Sequence, residues 1–306
     1  MNSIQIDKVA KSYGKVMALN DVSLAINSGE LFGIIGPDGA GKTTLFRILA
    51  TLLLADRGEV RVCGMDVTTD WRKLRNCIGY MPGRFSLYQD LSVEENLQFF
   101  ATVFKTTVKE NYDLIHDIYV QIEPFAKRRA GKLSGGMKQK LALCCALIHR
   151  PRVLLLDEPT TGVDPVSRNE FWDILSRIKN EGITIVVSTP YMDEASRCDR
   201  IALMREGVCF RTDTPEVIRA SFPYKLWAVS GKDTYRLLLD IRDYRGTYSC
   251  FAFGDKHHVV LNEDQPDANG LKSFLAVRGH QDIVIEPLAP TVEDCFMNNE
   301  EGMSCV

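Results

Sequence analysis

Short apolar runs of strand length alternate along this chain with segments of helical spacing. Leu31 to Ile35 is an unbroken apolar run that stops at Gly36 and reads as a buried strand. Leu45 to Leu54 follows with helical character and no breaker. Cys77 to Met81 and Val153 to Leu156 read as further strands, the second ending on two carboxylates, Asp157 and Glu158. Leu141, Cys144, Cys145 and Ile148 share the inner face of a predicted helix. Ser92-Val93-Glu94-Glu95 is a capping signal that opens another helix. Phe99, Phe100 and Phe104, at helical spacing within and after it, read as core; a docking face is the alternative. Buried strands interleaved with helices predict an α/β fold.

The character changes after Phe222-Pro223. Lys225 to Ser230 reads as a strand and Thr234 to Arg242 as a helix. Thr247 to Phe253 and His257 to Asn262 read as a strand pair across a Gly254-Asp255 turn. Asp267 to Val277 reads as a helix, Asp282 to Glu286 as a strand and Thr291 to Asn298 as a last helix. The order β-α-β-β-α-β predicts a small α+β, ferredoxin-like domain over residues 225–306, behind a larger domain over residues 1–222. Its expected role is packing or dimer contact, with ligand sensing as the alternative.

Composition narrows the function classes. Lys and Arg number 37 and Asp and Glu 40, so the basic excess of a dedicated nucleic-acid binder is missing. The densest basic cluster, Lys127-Arg128-Arg129, reads as solvated surface. The apolar runs Leu141 to Ile148 and Val153 to Leu156 are too short to span a bilayer, and the N-terminus carries no apolar signal segment. A cytoplasmic protein is expected, held at a membrane only by a partner. Nine cysteines with no C-x-x-C pair read as reduced thiols. His257 and His258 would face opposite ways on a strand, so they are not read as a shared metal site.

The first decisive chemistry is GPDGAGKTT, written Gly36-Pro37-Asp38-Gly39-Ala40-Gly41-Lys42-Thr43-Thr44. It fits G-x-x-x-x-G-K-[ST] between a strand and a helix, the context of a phosphate-binding loop. The glycines let backbone N–H groups approach a polyphosphate, and the helix adds its positive end. Lys42 supplies a mobile charge for the β- and γ-phosphates, and Thr43 a hydroxyl for Mg²⁺. Asp157, at the carboxyl end of its strand, is placed to hold Mg²⁺, and Glu158 to orient and deprotonate an attacking water.

Between these segments lies LSGGM, with Ser134, Gly135, Gly136 and Met137 at the start of a helix. With it the chain resembles the ABC ATPase family over about its first 220 residues. The resemblance implies a P-loop NTPase core with a helical subdomain over about residues 84–150 that docks on a polytopic membrane permease. It implies that Tyr13 stacks on adenine, with a core tyrosine as the other reading. It also implies that Asp164 belongs to a loop crossing a dimer interface. There, Ser134 to Gly136 would close on ATP held by the opposite subunit. The ending APTVEDCF is similar to the closing segment of ABC subunits of drug- and polysaccharide-export type. ATP coupled to export by a separate permease is the expected function. A soluble, non-transport ABC protein is the alternative, against which the single module and lack of a long heptad run argue.

Two positions depart from the family. Gly83 follows Pro82 where a glutamine is usual, and Gln89 lies too far along to replace it. Pro190 stands where a histidine usually contacts the γ-phosphate, and proline offers no donor. Losing one such donor costs about a hundredfold to a thousandfold in rate. Both losses fall in the site built on Lys42 and Asp157, so a catalytically weak subunit in a heterodimer is expected, with a homodimer as the rival.

Overall fold

The computed structural model describes residues 2–262 and 268–303, with side chains to residue 298. The chain divides into two compact units, Met1–Pro215 and Glu216–Val306. The first begins with strands β1 (Asn2–Tyr13), β2 (Val16–Asn27) and β3 (Leu31–Ile35), then helix α1 (Lys42–Leu49). Next come β4 (Arg57–Val62), β5 (Met65–Asp66), α2 (Trp71–Leu74) and β6 (Ile78–Met81). Three helices follow, α3 (Val93–Val103), α4 (Tyr112–Tyr119) and α5 (Gly135–Leu147). The unit closes with β7 (Val153–Asp157), α6 (Pro165–Asn180), β8 (Thr184–Thr189), β9 (Arg200–Arg205) and β10 (Val208–Asp213).

Two sheets enclose α1. One is antiparallel, in the order β2-β1-β4-β5; the other runs β10-β9-β3-β8-β7-β6, parallel from β9 to β6. Strands β3, β7 and β8 are buried along their whole length, which explains the apolar runs at Leu31–Ile35, 153–156 and 185–187. Leu45, Phe46, Ile48 and Leu49 of α1 join one core with residues of both sheets. The helix stops at Leu49, short of the Leu54 expected from the sequence. Thr51 takes a positive φ of 61°, and the N–H groups of Leu52 and Leu53 turn back to the Arg47 carbonyl. Leu52 and Leu54 are consequently exposed.

The helices α3 and α4 both pack on α5 within residues 84–150. The Ser92 hydroxyl accepts from the Glu95 N–H at 3.1 Å, and the Glu95 carboxylate accepts from the Ser92 N–H at 2.7 Å, which is the capping box expected. The phenylalanines are not core. Helix α3 buries Val93, Asn96, Leu97 and Ala101 instead. Phe99 is left 38% exposed on another face, and Phe100 and Phe104 line a groove. Lys127, Arg128 and Arg129 are exposed, as expected.

The second unit takes α7 (Pro215–Ala220) from Glu216 onward, then β11 (Leu226–Ser230), α8 (Thr234–Asp243), β12 (Thr247–Phe253) and β13 (Lys256–Leu261). It ends with α9 (Ala268–Val277), β14 (Val284–Leu288) and α10 (Val292–Met303). Asp267, expected to begin the helix α9, lies outside the described residues. The division at Pro215 precedes the composition change at Phe222-Pro223, because Ile218 is fully buried and its carbonyl accepts from the Cys295 thiol at 3.3 Å. The sheet is antiparallel, ordered β12-β13-β11-β14, which in strand sequence is 2-3-1-4, the order of a split βαβ unit.

His257 and His258 do face opposite ways. His257 Nε2 lies 2.8 Å from the Thr234 carbonyl of α8, while His258 Nδ1 lies 2.7 Å from Asp294 of α10. Helix α10 therefore docks on the sheet face away from α8. Eight cysteines are free thiols; Cys305 lies outside the described residues. No helix among the described residues is long and apolar enough to cross a membrane.

Candidate functional site

Pairing register brings the chemistry to one edge. In the parallel sheet Ile35 pairs with Thr189, Asp157 with Ser188, and Met81 with Leu156. The loops after β3, β6, β7 and β8 therefore leave from the same carboxyl edge, where ligands of open α/β sheets bind. Gly36-to-Thr44, Gly83, Glu158 and Pro190 all stand on or beside these loops.

The loop after β3 needs its glycines. A Cβ at Gly36 would stand 2.0 Å from the Met204 carbonyl oxygen. One at Gly41, whose φ is +100°, would stand 2.3 Å from that of Ala18. Gly41 caps α1, and Lys42 begins it. The Lys42 ammonium is buried, donating to the carbonyls of Gly36 at 2.8 Å and Pro37 at 2.9 Å, and lies 3.3 Å from Glu158 Oε1. Three acceptors thus hold the lysine where phosphate oxygens would compete for it.

Thr43 and Asp157 meet as expected, the hydroxyl donating to Asp157 Oδ1 at 3.2 Å. A partner that the sequence did not single out, Ser188, donates to the same oxygen at 2.7 Å. A hydroxyl beside a carboxylate is a hard-oxygen donor set that suits Mg²⁺. Glu158 has a positive φ of 51°, a strained conformation for a side-chain-bearing residue. Its N–H is held by the Ser188 carbonyl at 3.1 Å and the Ser188 hydroxyl at 2.9 Å.

A cavity of about 740 Å³ opens here, lined by Thr43, Arg47, Tyr80, Pro82, Gly83, Arg84, Asp157 and Glu158 among others. Tyr80 is driven up to about 12 by burial and by the negative charge of Asp157. Gly83 presses on the backbone of the carboxylate pair, since a Cβ there would stand 3.0 Å from the Asp157 carbonyl oxygen. Gln89 is elsewhere: its carbonyl accepts from the Gly131 N–H at 2.9 Å, and its side chain packs on Gly131.

Beneath Pro190 lies a second network unseen in the sequence. Glu194 is 3% exposed and accepts from Thr160 Oγ1 at 2.9 Å and Thr189 Oγ1 at 2.5 Å, with Arg168 Nε 3.2 Å away. It ties the end of β8 to the loop after β7 and to α6. Ser188 and Thr189 follow an apolar run in the sequence, so their place at the strand end was readable; the register that sets them against Asp157 was not.

The remaining expected residues lie apart. Ser134 is exposed and caps α5, accepting from the Met137 N–H at 3.4 Å. Gly136 abuts Ser167, 3.1 Å from a Cβ to its Oγ. Asp164 is exposed and caps α6 by accepting from the Ser167 N–H at 3.0 Å. None of Ser134, Gly135, Gly136 and Met137 lines the 740 Å³ cavity. Tyr13 is 46% exposed at the end of β1, paired with Val16 across the hairpin, which rules out the core reading.

A family model described as ABC transporter matches residues 19–161. The chain is 39% identical over 219 residues to "Probable multidrug ABC transporter ATP-binding protein YbhF" of Escherichia coli (strain K12), a match covering 71% of this chain and 38% of that protein. It thus spans well under half the length of that relative. It is 36% identical over 250 residues to "Nod factor export ATP-binding protein I" of Rhizobium sp. (strain N33), covering 80% of this chain and 82% of the other. Among solved structures, cbiO1 from Clostridium perfringens, part of the ABC transporter complex cbiONQ, matches with a TM-score of 0.65 and 27% identity over 72% of this chain and 91% of its own. The dimeric ATP-binding cassette MJ0796 bound to ADP and Pi matches with a TM-score of 0.63 and 28% identity, over 69% and 98%. On these residues, this fold and these relatives, the chain belongs to the family of ABC transporter ATP-binding proteins.

Proposed function

We propose that the chain binds MgATP and couples its binding and hydrolysis to export by a separate polytopic membrane permease. The observation that carries this reading is the meeting of Thr43, Asp157 and Glu158 on one cavity, with Lys42 held 3.3 Å from Glu158. Lys42 leaves its carbonyl partners for the β- and γ-phosphates. Thr43 and Asp157 hold Mg²⁺, which when bound neutralises phosphate charge. Glu158 orients and deprotonates water. Tyr13, exposed on its hairpin, is free to stack on adenine. The names of the relatives, multidrug and Nod factor export proteins, support export as the direction.

The site completes itself with a second subunit. Ser134 is exposed and outside the cavity, so its helix end serves the nucleotide of another module. Gly83 and Pro190 leave this chain's own site without the usual glutamine and histidine, which favours a catalytically weak member of a heterodimer. The test is isothermal titration of the purified chain with MgATP, beside Lys42→Ala. Loss of binding in the variant supports the assignment, and unchanged affinity sinks it. Turnover is then measured on the chain alone and with the permease that co-purifies with it.

A further inference from the structure

The loop after β6 carries a cation, Arg84, one residue past the position where a neutral glutamine is usual. Two arginines, Arg47 and Arg84, line the cavity that holds Thr43, Asp157 and Glu158. Arg47 stands beside the Tyr80 hydroxyl, so its guanidinium has a neighbour on the strand side. Arg84 makes no ion pair among the described residues and is exposed. It follows Gly83 directly, and Gly83 lies so close to the Asp157 carbonyl that a Cβ would sit 3.0 Å from it. The glycine therefore sets the loop against the carboxylate pair and makes Arg84 the next side chain on the cavity wall.

A cation uncommitted to any carboxylate, on a wall facing two carboxylates, gains little until an anion arrives. A terminal phosphate brings two negative charges and three acceptor oxygens. A guanidinium meets such a group with paired, charge-assisted hydrogen bonds and cannot deprotonate. The usual glutamine and histidine both act at that end of the nucleotide, and both are replaced here, by Gly83 and Pro190. We propose that Arg84 is the γ-phosphate contact of this chain's own site, and that through it the site holds MgATP in preference to MgADP. Arg84 acts as a binding residue. A contact that grips the ground state favours retention of ATP over turnover, in keeping with a weakly hydrolysing subunit. The inference rests on the nucleotide-binding reading above.

The experiment is isothermal titration of the full chain with MgATP and, separately, MgADP, for wild type, Arg84→Ala, Arg84→Lys and Lys42→Ala. Arg84→Ala is expected to weaken MgATP about tenfold to a hundredfold, the range of a hydrogen bond to a charged group, with MgADP changed less than about twofold. Arg84→Lys should recover part of the loss. Because Arg84 is exposed, the melting temperature without nucleotide should not move. Equal losses for both nucleotides, or no loss for either, overturn the role of Arg84 while leaving the nucleotide site standing. Failure of wild type to bind either nucleotide, or indifference of binding to Lys42→Ala, overturns the site and the Arg84 role together.

Discussion

The Ser188 hydroxyl donates to Asp157 Oδ1 at 2.7 Å, across the register pair that joins β8 to β7. The same hydroxyl receives the Glu158 N–H at 2.9 Å, so one buried serine orients both carboxylate residues of the site. Ser188→Ala removes that donor and acceptor. It should cost about 1–3 kcal/mol of stability and weaken Mg²⁺-dependent ATP binding more than Mg²⁺-free binding. Urea unfolding and titration with and without Mg²⁺ check this. A variant that loses stability but keeps the Mg²⁺ effect intact would reduce Ser188 to a structural role.

Glu194 is a buried carboxylate with three donors, from Thr160, Thr189 and Arg168. Removing it strands those donors, and Glu194→Ala should cost about 3–5 kcal/mol. Glu194→Gln keeps one acceptor oxygen and should cost less. Urea midpoints of the two variants decide the point. Equal, small effects would mean that the network carries little stability.

His149 makes stability depend on pH. Its ring stacks on Phe104 with centroids 3.8 Å apart, Nε2 lies 3.1 Å from the Ile78 carbonyl, and Nδ1 is buried with no partner. Burial pushes its pKa down to about 4. The unfolded value is about 6.5, so between the two values the unfolded chain binds more protons. Stability from this residue is therefore full above about pH 6.5 and declines as pH falls toward 4. The loss should approach about 3 kcal/mol. His149→Phe keeps the stack and cannot titrate, so its unfolding free energy should fall less steeply over that range. Parallel pH profiles for wild type and variant would contradict this.

The legible parts of the molecule were those where one local pattern suffices. Leu31–Ile35 and Val153–Asp157 form strands because burial on both faces leaves a continuous apolar run. Glycines at 36 and 41 are needed by backbone approaches that the motif already encodes. Helix α3 begins where its capping box stands, but Phe99 and Phe100 on it and Phe104 just after it mislead: aromatics at helical spacing state an apolar surface, not which neighbour covers it. Ser188 and Glu194 were silent because each acts through a partner far away in sequence, Asp157 for the one and Thr160 for the other. For Ser188 that partner is 31 residues distant, and pairing register alone brings them together.

The signature and the carboxylate base of this chain should serve different ATP molecules. Ser134 is exposed at the start of α5 and does not line the cavity that Glu158 lines. Each site of a head-to-tail dimer then takes its phosphate loop, Mg²⁺ ligand and switch positions from one subunit and its signature from the other. In a homodimer both sites would lack the glutamine and the histidine. In a heterodimer with a complete partner, Gly83 and Pro190 would burden only the site built on Lys42. The other site would join the partner's catalytic set to Ser134, Gly135 and Gly136. Ser134→Arg should then stop most turnover of the assembled transporter, by placing bulk and charge where the partner's γ-phosphate must lie. Because Ser134 is a helix cap, Ser134→Ala serves as the control for lost capping, worth about 0.5–2 kcal/mol, and should retain much more activity than Ser134→Arg. Glu158→Gln should lower turnover only modestly, since its site contributes little. The decisive measurement is ATPase activity of the purified chain alone. Robust turnover abolished by Glu158→Gln would establish that this chain hydrolyses ATP in its own right, and the division of labour between two unlike sites would fall.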